Sequence, residues 1–231
     1  MKPLFIIPAR GGSKGIPGKK IRPFCGRPLI TLAIDGAMAC CDDPARIILS
    51  TDSPEIAAVA AEHGLPVPYM RPAHLASDTA PTRDALLHAM DWADAEGIDY
   101  DCVVLLQPTS PLRRAEDISG AMALYTPEVD MVVSVTPADA NPYYNLFEAD
   151  DRGFLHVSKG DGSYTRRQDA PPVWEYNGAV YVINPQSLRK TLMSRMERIV
   201  PYPMPRERSA DLDTLSQWAA AEEQFKNQPS I

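Results

Sequence analysis

A short apolar segment that runs directly into a glycine-rich, basic loop constrains the fold of this chain more than any other feature. Leu4 to Ile7 are four consecutive apolar residues, a pattern that predicts a buried strand. In the loop up to Lys20, glycines can turn backbone N–H groups toward an anionic ligand, and basic side chains can neutralise its charge. The loop therefore suits a nucleoside triphosphate, although a basic surface turn is the alternative. Its spacing matches neither a P-loop nor a G-x-G-x-x-G motif, which argues against a P-loop hydrolase and against a dinucleotide-dependent dehydrogenase.

The composition indicates a globular protein that binds a small anion. The chain has 231 residues, 45% of them hydrophobic, and a net charge of -7, so residues 1–231 are interpreted as one domain. An acidic protein binds nucleic acid or an anionic membrane poorly, and we expect neither as a partner. Four cysteines without C-x-x-C spacing and four scattered histidines predict no zinc site. Without a signal-peptide pattern or an apolar run long enough to span a bilayer, we expect a cytoplasmic protein.

Strand and helix patterns alternate along the chain, which predicts an α/β fold with a mostly parallel sheet. Ser53 followed by Pro54 predicts the start of a helix that ends at Gly64. Because ligands bind outside the carboxyl ends of parallel strands, the first loop and the loop at Gln107 should face one crevice. The other predicted strands are Arg46 to Ser50, Val67 to Met70, Cys102 to Leu106, Met131 to Val135 and Ala179 to Ile183. The other predicted helices are Leu29 to Ala39, Thr82 to Glu96, Asp117 to Tyr125 and Ser187 to Met193.

Residues 137–173 interrupt this alternation. They are rich in Pro, Asn, Tyr, Gly and charged residues, and Gly153 to Val157 has the alternation of a hairpin strand. We interpret the stretch as an insertion that projects from the sheet. Further along, Asp213 or Thr214 could cap a last helix that has an apolar stripe. The stripe comprises Leu215, Trp218, Ala219 and Phe225.

Asp211 and Asp213 are the best candidates for a metal site. Carboxylates two residues apart on an extended segment point the same way and can share one hard cation such as Mg²⁺. The alternative is that an aspartate in front of a helix is only its cap. The adjacent Arg166 and Arg167 could hold a carboxylate or phosphate, or form a solvated pair. Asn177 could bond a polar substrate at the sheet edge, or only form a turn.

Taken together, these segments resemble the acylneuraminate cytidylyltransferases, the enzymes that make CMP-activated sialic acids and related nine-carbon sugar acids. The resemblance runs nearly end to end, and several motifs in the same order are more specific than any one of them. The related 3-deoxy-manno-octulosonate cytidylyltransferases lack the Gly-Gly-Ser-Lys-Gly run, so that substrate ranks lower. The matching motifs are Pro8 to Gly15, Ser50 to Asp52, Arg71 to Ala73, Ala76 to Thr79, Leu105 to Arg113, Asn177 to Tyr181 and Asp211 to Thr214.

The resemblance implies a nucleotide-diphospho-sugar transferase fold of Rossmann-like, three-layer type, with CTP as co-substrate and Mg²⁺ as cofactor. It also implies a homodimer in which the insertion of one subunit reaches over the active site of the other. The implied reaction is attack of the anomeric hydroxyl of a 2-keto-3-deoxy sugar acid on the α-phosphorus of CTP, with release of pyrophosphate. A homologue that binds nucleotide or sugar without catalysis is the alternative.

The family's site residues carry over by position. The implied nucleotide contacts are Ala9, Arg10, Ser13, Lys14, Lys19, Lys20, Arg71, Ala80 and Thr82. The implied sugar contacts are Gln107, Arg167 and Asn177, and the implied metal ligands are Asp211 and Asp213. The expected catalytic residues are Lys19, Asp211 and the insertion's Arg166 or Arg167. Two positions depart from the family, because Lys20 stands where Asn is usual and Glu175 where some bacterial members have Arg.

Overall fold

The computed structural model of the protein describes residues 1–12 and 15–227. The strands of its main sheet are β1 (Pro3–Pro8), β4 (Ile47–Ser50), β5 (Cys102–Leu106), β6 (Met131–Pro137), β9 (Trp174–Ile183) and β10 (Ile199–Pro203). Two small hairpins add β2 (Pro23–Phe24) with β3 (Arg27–Pro28), and β7 (Phe147–Ala149) with β8 (Leu155–Val157). The sheet order is β10-β6-β9-β5-β1-β4, and the pairs are parallel except where β9 runs antiparallel to β5 and β6. The predicted mostly parallel α/β sheet is confirmed.

Helices cover both faces of this sheet. They are α1 (Leu29–Cys40), α2 (Pro54–Glu62), α3 (Thr82–Ala95), α4 (Ala115–Ala123), α5 (Pro185–Lys190) and α6 (Leu215–Lys226). Phe5 and Ile7 of β1 pack in one core with α1, α2 and α4, whereas Leu4 and Ile6 pack in a second core with α3 and α5. Because successive strand residues point to opposite faces, a strand covered on both sides must be apolar throughout. The architecture is therefore the expected three-layer one.

A third apolar cluster joins the first loop to the C-terminal helix α6. Ile16 and Leu212 are fully buried in it, beside Phe24 of the first hairpin. The Phe24 ring stands edge-on to Trp218 at 5.6 Å between centroids and to Phe225 at 5.5 Å. Such aromatic contacts add specific geometry to the burial of large apolar surfaces. This cluster fixes the segment around Leu212 against the loop that follows β1.

Two predicted helix starts are confirmed by their caps. The Ser53 hydroxyl accepts a hydrogen bond from the N–H of Ile56 at 3.3 Å, and Pro54 is the first residue of α2. For α6 the cap is Thr214, which accepts from the N–H of Gln217 at 3.3 Å. Asp213 is thereby free of the capping role that was its alternative.

One short element was predicted incorrectly, and the bounds of another differ from the prediction. Val67 to Met70 form no strand, because Pro68 has no N–H to donate and Tyr69 turns inward, where its ring lies 5.6 Å from that of Trp92. The helix predicted from Ser187 to Met193 is α5, which begins two residues earlier after the Asn184 cap.

The edge strand β10 has no counterpart among the predicted strands. It contains Pro201 and Pro203, and proline is tolerated in a strand only where the N–H side is unpaired, as at a sheet edge. The stripe predicted for α6 is wrong in part, because Leu215 and Ala219 are exposed while Trp218 and Ala221 are buried.

The insertion, residues 137–173, contains the hairpin β7–β8, and the strand predicted within it is confirmed as β8. Its apolar side chains are unusually exposed: 54% for Phe147, 66% for Phe154 and 70% for Leu155. Within residues 1–12 and 15–227, no helix is both long and apolar enough to cross a membrane.

Candidate active site

Two cavities meet at Gln107, where the polypeptide leaves β5. The larger cavity, about 600 Å³, is lined by the start of β9, the loop after β5 and residues of the 206–217 segment. The smaller cavity, about 220 Å³, is lined by Arg10 and Lys20 of the first loop, by Arg71 and by residues that lead into α3. Gln107 lines both cavities. The carboxyl-end loops therefore face one crevice, as the alternation of strands and helices predicts.

Lys19 joins the first loop to the acidic segment near the end of the chain. Its ammonium group donates to the backbone oxygen of Leu212 at 2.5 Å and to Oδ1 of Asp213 at 3.1 Å. The side chain of Lys19 is 9% exposed and that of Asp213 is 70% exposed. The lysine is thus held in place beneath a carboxylate that stays accessible to a ligand.

The segment Asp211-Leu212-Asp213 is anchored by its middle residue. Leu212 is fully buried, and its N–H donates to the backbone oxygen of Thr109 at 3.0 Å. Because neighbouring side chains of an extended segment alternate, Asp211 and Asp213 both line the larger cavity. In the described part of the chain no three His, Cys, Asp or Glu residues group as metal ligands. Two carboxylates nevertheless fit Mg²⁺, which usually takes one or two of them and fills its shell with phosphate oxygens and water.

Gly15 is required where the first loop passes the acidic segment. A Cβ at this position would lie 2.4 Å from the backbone oxygen of Asp213, a distance that real Cβ contacts essentially never show. The glycine therefore serves close packing of two backbones as well as ligand access.

Gly15→Ala is expected to destabilise the protein by about 1–3 kcal/mol, the usual cost of forcing extra volume into a packed site. Chemical denaturation measures the change. Gly12→Ala is the matched control, because its Cβ would meet no atom within 4 Å, and its unfolding free energy should stay within about 0.5 kcal/mol of the parent. Equal stability of the two variants would contradict the close approach.

Lys20 is a buried base on the wall of the smaller cavity, with 8% of its surface exposed. Burial, followed by repulsion from Lys19 and Arg10, lowers its pKa to about 7, although Asp211 and Asp213 oppose the shift. Among the described residues its ammonium group has no hydrogen-bond partner. Such a side chain is costly in the free protein and is best satisfied by an anion.

Arg10 and Arg71 complete the basic wall. Arg10 pairs with Asp78 at 2.5 Å, and both residues line the smaller cavity. Arg71 is 7% exposed and donates to the hydroxyl of Ser50 at 3.0 Å and to its backbone oxygen at 2.6 Å. Burial lowers the pKa of Arg71. The two Ser50 oxygens hold its guanidinium beside the smaller cavity.

The remaining nucleotide candidates differ in position. Ala80 and Thr82 line the smaller cavity. Ala9 is fully buried, and its N–H donates to Ser50 at 2.8 Å, so only its backbone oxygen is left for a ligand. The candidates Ser13 and Lys14 lie outside the described residues.

Asn177 lines the larger cavity, yet its amide is already bonded within the chain. Its oxygen accepts from the Ser134 hydroxyl at 2.6 Å and from the N–H of Ala179 at 3.2 Å, while its nitrogen donates to Ser209 at 2.9 Å. A contact between this amide and a sugar would have to replace or share the Ser209 bond. The neighbouring Gln107 side chain has no such internal bond among the described residues.

Arg166 and Arg167 line neither cavity of their own chain. Arg166 pairs with Asp169, with 2.7 Å between Nε and Oδ2, and Arg167 donates to the backbone oxygen of Asp139. Arg206, in contrast, does line the larger cavity, although nothing in its sequence context predicts a site residue. It follows the unpredicted strand β10, and this is why sequence reasoning missed it.

A buried ion pair between Arg208 and Asp117 supports the residues that precede the acidic segment Asp211 to Asp213. Arg208 donates to both carboxylate oxygens of Asp117, at 2.8 and 2.9 Å in its shortest contacts. The Asp117 side chain is fully buried and that of Arg208 is 27% exposed. The pair ties α4 to the residues that lead into Asp211.

Known proteins resemble this chain in sequence. A family model described as Cytidylyltransferase matches residues 4–224. The CMP-N,N'-diacetyllegionaminic acid synthase of Legionella pneumophila is 32% identical over 225 residues, which cover 96% of this chain and 95% of that protein. The N-acylneuraminate cytidylyltransferase of Streptococcus agalactiae serotype III is 37% identical over 217 residues; this chain spans about half, 51%, of its length and is itself 93% covered. The pseudaminic acid cytidylyltransferase of Campylobacter jejuni is 29% identical over 218 residues, with 93% and 92% coverage.

Solved structures share the fold at lower sequence identity. A CMP:2-keto-3-deoxy-manno-octonic acid synthetase complexed with CTP superimposes with a TM-score of 0.69 at 18% identity, covering 98% of this chain and 99% of the other. The 4-diphosphocytidyl-2C-methyl-D-erythritol synthase of Anaerococcus prevotii gives a TM-score of 0.65 at 12% identity, with 98% and 99% coverage. At these identities the likeness supports the fold alone.

Proposed function

The chain belongs to the cytidylyltransferase family, and from that premise we propose that it transfers CMP from CTP to the anomeric hydroxyl of a nonulosonic, sialic-type sugar acid and releases pyrophosphate. Relatives named for legionaminic, acylneuraminic and pseudaminic acids favour this reaction over transfer to 3-deoxy-manno-octulosonate. The observation that carries the proposal is the Lys19–Asp213 contact, because it brings a basic loop and two carboxylates to one crevice.

In this proposal the smaller cavity holds the nucleotide. Arg10, Lys20 and Arg71 provide its positive charge, and Ala80 and Thr82 complete the wall. The buried ammonium of Lys20, which has no partner in residues 1–12 and 15–227, gives the triphosphate a contact that water does not satisfy as well. The larger cavity then holds the sugar acid, and Gln107 lies where the two substrates meet.

Asp211 and Asp213 would hold Mg²⁺, which would offset negative charge on the triphosphate when bound. The ammonium group of Lys19 donates to both the Asp213 carboxylate and the backbone oxygen of Leu212, and so holds the acidic segment in position. Rate enhancement would come mainly from position and preorganised charge, because phosphoryl-type transfers leave the protein little covalent chemistry to perform.

The proposed acceptor is N-acylneuraminate, with legionaminate and pseudaminate as its competitors. A pyrophosphate-release assay with CTP, Mg²⁺ and each acid separates them. Release with at least one nonulosonic acid supports the proposal, and the highest kcat/KM identifies the acceptor. Preference for 3-deoxy-manno-octulosonate would overturn it. Binding of CTP without release with any acid would favour a non-catalytic homologue.

The pH dependence of CTP binding tests the role of Lys20. A bound triphosphate favours the charged amine, so it raises the pKa of Lys20 above its free value of about 7. CTP affinity should therefore be greatest below pH 7 and fall as pH rises, by up to about tenfold per pH unit for one linked proton. Titration calorimetry at several pH values measures the slope.

Lys20→Met is the control for this experiment. It should bind CTP more weakly at pH 7 and lose the pH slope that the amine causes. The same pKa difference affects folding. Between pH 7 and the ordinary pKa of 10.5, the Lys20 amine is mostly protonated in the unfolded chain and mostly neutral in the folded protein, so the free energy of unfolding of the free parent protein rises with pH in that window. An unchanged slope in Lys20→Met would assign the pH dependence to other groups.

We also propose that the protein acts as a homodimer through the insertion. Exposed apolar side chains such as Phe154 and Leu155 cluster there, as they do at subunit interfaces. Arg166 and Arg167 lie away from the cavities of their own chain, so a role in catalysis requires the partner's cavity.

Coexpression of two inactive variants tests this arrangement. A mixed dimer of Arg167→Ala and Asp211→Ala subunits should contain one intact site, because Arg167 and Asp211 of each site come from different chains. Activity should therefore return when differently tagged subunits are purified together. A mixed dimer that forms but stays inactive would contradict the shared site.

A further inference from the structure

A third cavity shares no lining residue with the two cavities of the candidate active site. Its volume is about 680 Å³, which exceeds that of either of the other two and lies within the range of small-molecule sites. It is an open cavity lined by α1, by residues 111–115 at the start of α4 and by the end of α6. We name it the rear cavity.

The rear cavity has an apolar floor. Leu112 is almost completely buried there, and Leu32 and Phe225 contribute further apolar surface. The Phe225 ring is fixed by its edge-on contact with Phe24 at 5.5 Å. A preformed apolar floor of this kind suits the hydrocarbon part of a ligand.

The rim of the rear cavity is basic. Four basic side chains line it with a single carboxylate, that of Asp35. Asp35 is already engaged, because it pairs with Arg27 and its Oδ1 lies 2.6 Å from His63 Nε2. The basic residues of the rim are Arg27, Arg113, Arg114 and Lys226. Basic residues therefore outnumber carboxylates in the lining, next to an apolar surface.

From this combination we propose that the rear cavity binds a small amphipathic anion, in which a hydrocarbon or aromatic body carries one carboxylate, phosphate or sulfonate group. The body would pack on Leu32, Leu112 and Phe225, and the anionic group would face Arg113 and Lys226. The binding proposal does not rest on the proposed enzymatic function.

Arg113 connects the rear cavity to the candidate active site. One nitrogen of its guanidinium donates to the backbone oxygen of Gln107 at 3.0 Å and to that of Ala179 at 2.8 Å. Burial lowers the pKa of Arg113 to about 10, although Asp117 and Cys40 oppose the shift, so a nearby anion would be favourable. A ligand that draws the Arg113 guanidinium toward the rear cavity would weaken the bonds that hold Gln107 in place, and under the proposed function it would reduce catalysis without occupying a substrate cavity.

The test uses the fluorescent sulfonate 8-anilino-1-naphthalenesulfonate as the probe and its uncharged counterpart N-phenyl-1-naphthylamine as the comparison. We expect saturable sulfonate binding that persists with saturating CTP. Ala39→Phe, on the wall of the rear cavity, should weaken it about tenfold. Lys226→Glu should weaken the sulfonate about threefold and leave the uncharged probe unchanged.

The matched control is Ala45→Phe, which lies on a separate apolar cavity without basic residues, beside Trp92. It should leave sulfonate binding unchanged. Displacement of the probe by CTP, or equal weakening by Ala39→Phe and Ala45→Phe, would overturn the proposal. With an active enzyme, the sulfonate should lower kcat without raising the KM for CTP. An inactive enzyme that still binds the probe would count against the proposed function only.

Discussion

Asp211→Ala is expected to lower turnover by a factor on the order of 100 to 1,000, the effect of removing one preorganised charge-stabilising group, while the protein stays folded. The Asp211 side chain is exposed, lines the larger cavity and takes part in no hydrogen bond within the described residues, so its loss removes no packing. Pyrophosphate release at limiting Mg²⁺ measures the change, because the variant should require more metal. Near-normal turnover under that condition would rule out Asp211 as a metal ligand.

Asp42→Ala is the control for this variant. Asp42 is also exposed, but it lies between α1 and β4 and lines none of the cavities described above. Its replacement should leave both turnover and the metal requirement unchanged. Lys19→Ala should lower turnover as strongly as Asp211→Ala and should also lose stability, since Lys19 holds two atoms of the acidic segment. A loss of stability in Lys19→Ala but not in Asp211→Ala would distinguish a positioning role from metal binding.

Asp117→Ala is expected to destabilise the protein by about 3–5 kcal/mol, the usual effect of removing one partner from a buried ion pair. The reason is that Arg208 would keep its charge in a site that is shielded from water on most sides. Chemical denaturation measures the loss. Because this pair also supports the acidic segment, the remaining folded protein should need more Mg²⁺ for activity.

Two further variants make this prediction specific. Asp117→Leu combined with Arg208→Met should recover much of the lost stability, because well-packed apolar residues often replace a buried pair without cost. Asp99→Ala breaks an exposed pair with Lys2 and should have a far smaller effect, since water solvates both charges in the folded and unfolded states. A similar loss for Asp99→Ala and Asp117→Ala would contradict the assigned role of burial.

The strands that sequence alone predicts well are those with one physical explanation for their composition. The run Cys102 to Leu106 is apolar throughout because helices cover both faces of β5. The start of α2 is equally predictable, because the Ser53 cap and Pro54 as first helical residue depend only on neighbouring residues in the sequence. Val67 to Met70 and β10 were misjudged because prolines in both make the outcome depend on neighbouring strands.

The site was predictable to the extent that its parts follow strand ends. Lys19 contacts Asp213, and Gln107 and Asp213 line the same cavity. The position of ligand sites at strand ends and the family resemblance both predict this arrangement. The internal bonds of Asn177 and the position of Arg206 depend on side chains from β6 and β10, far away in sequence. No local pattern encodes such contacts.

The contact between Lys19 and Asp213 spans 194 positions of the polypeptide. During synthesis, a chain that has not yet reached α6 cannot seat Phe24 against Trp218, although the residues of β1, β4 and β5 are already present. Under the proposed function, a product that terminates before Asp211 therefore lacks both candidate metal ligands and should be inactive even when most of the sheet has formed.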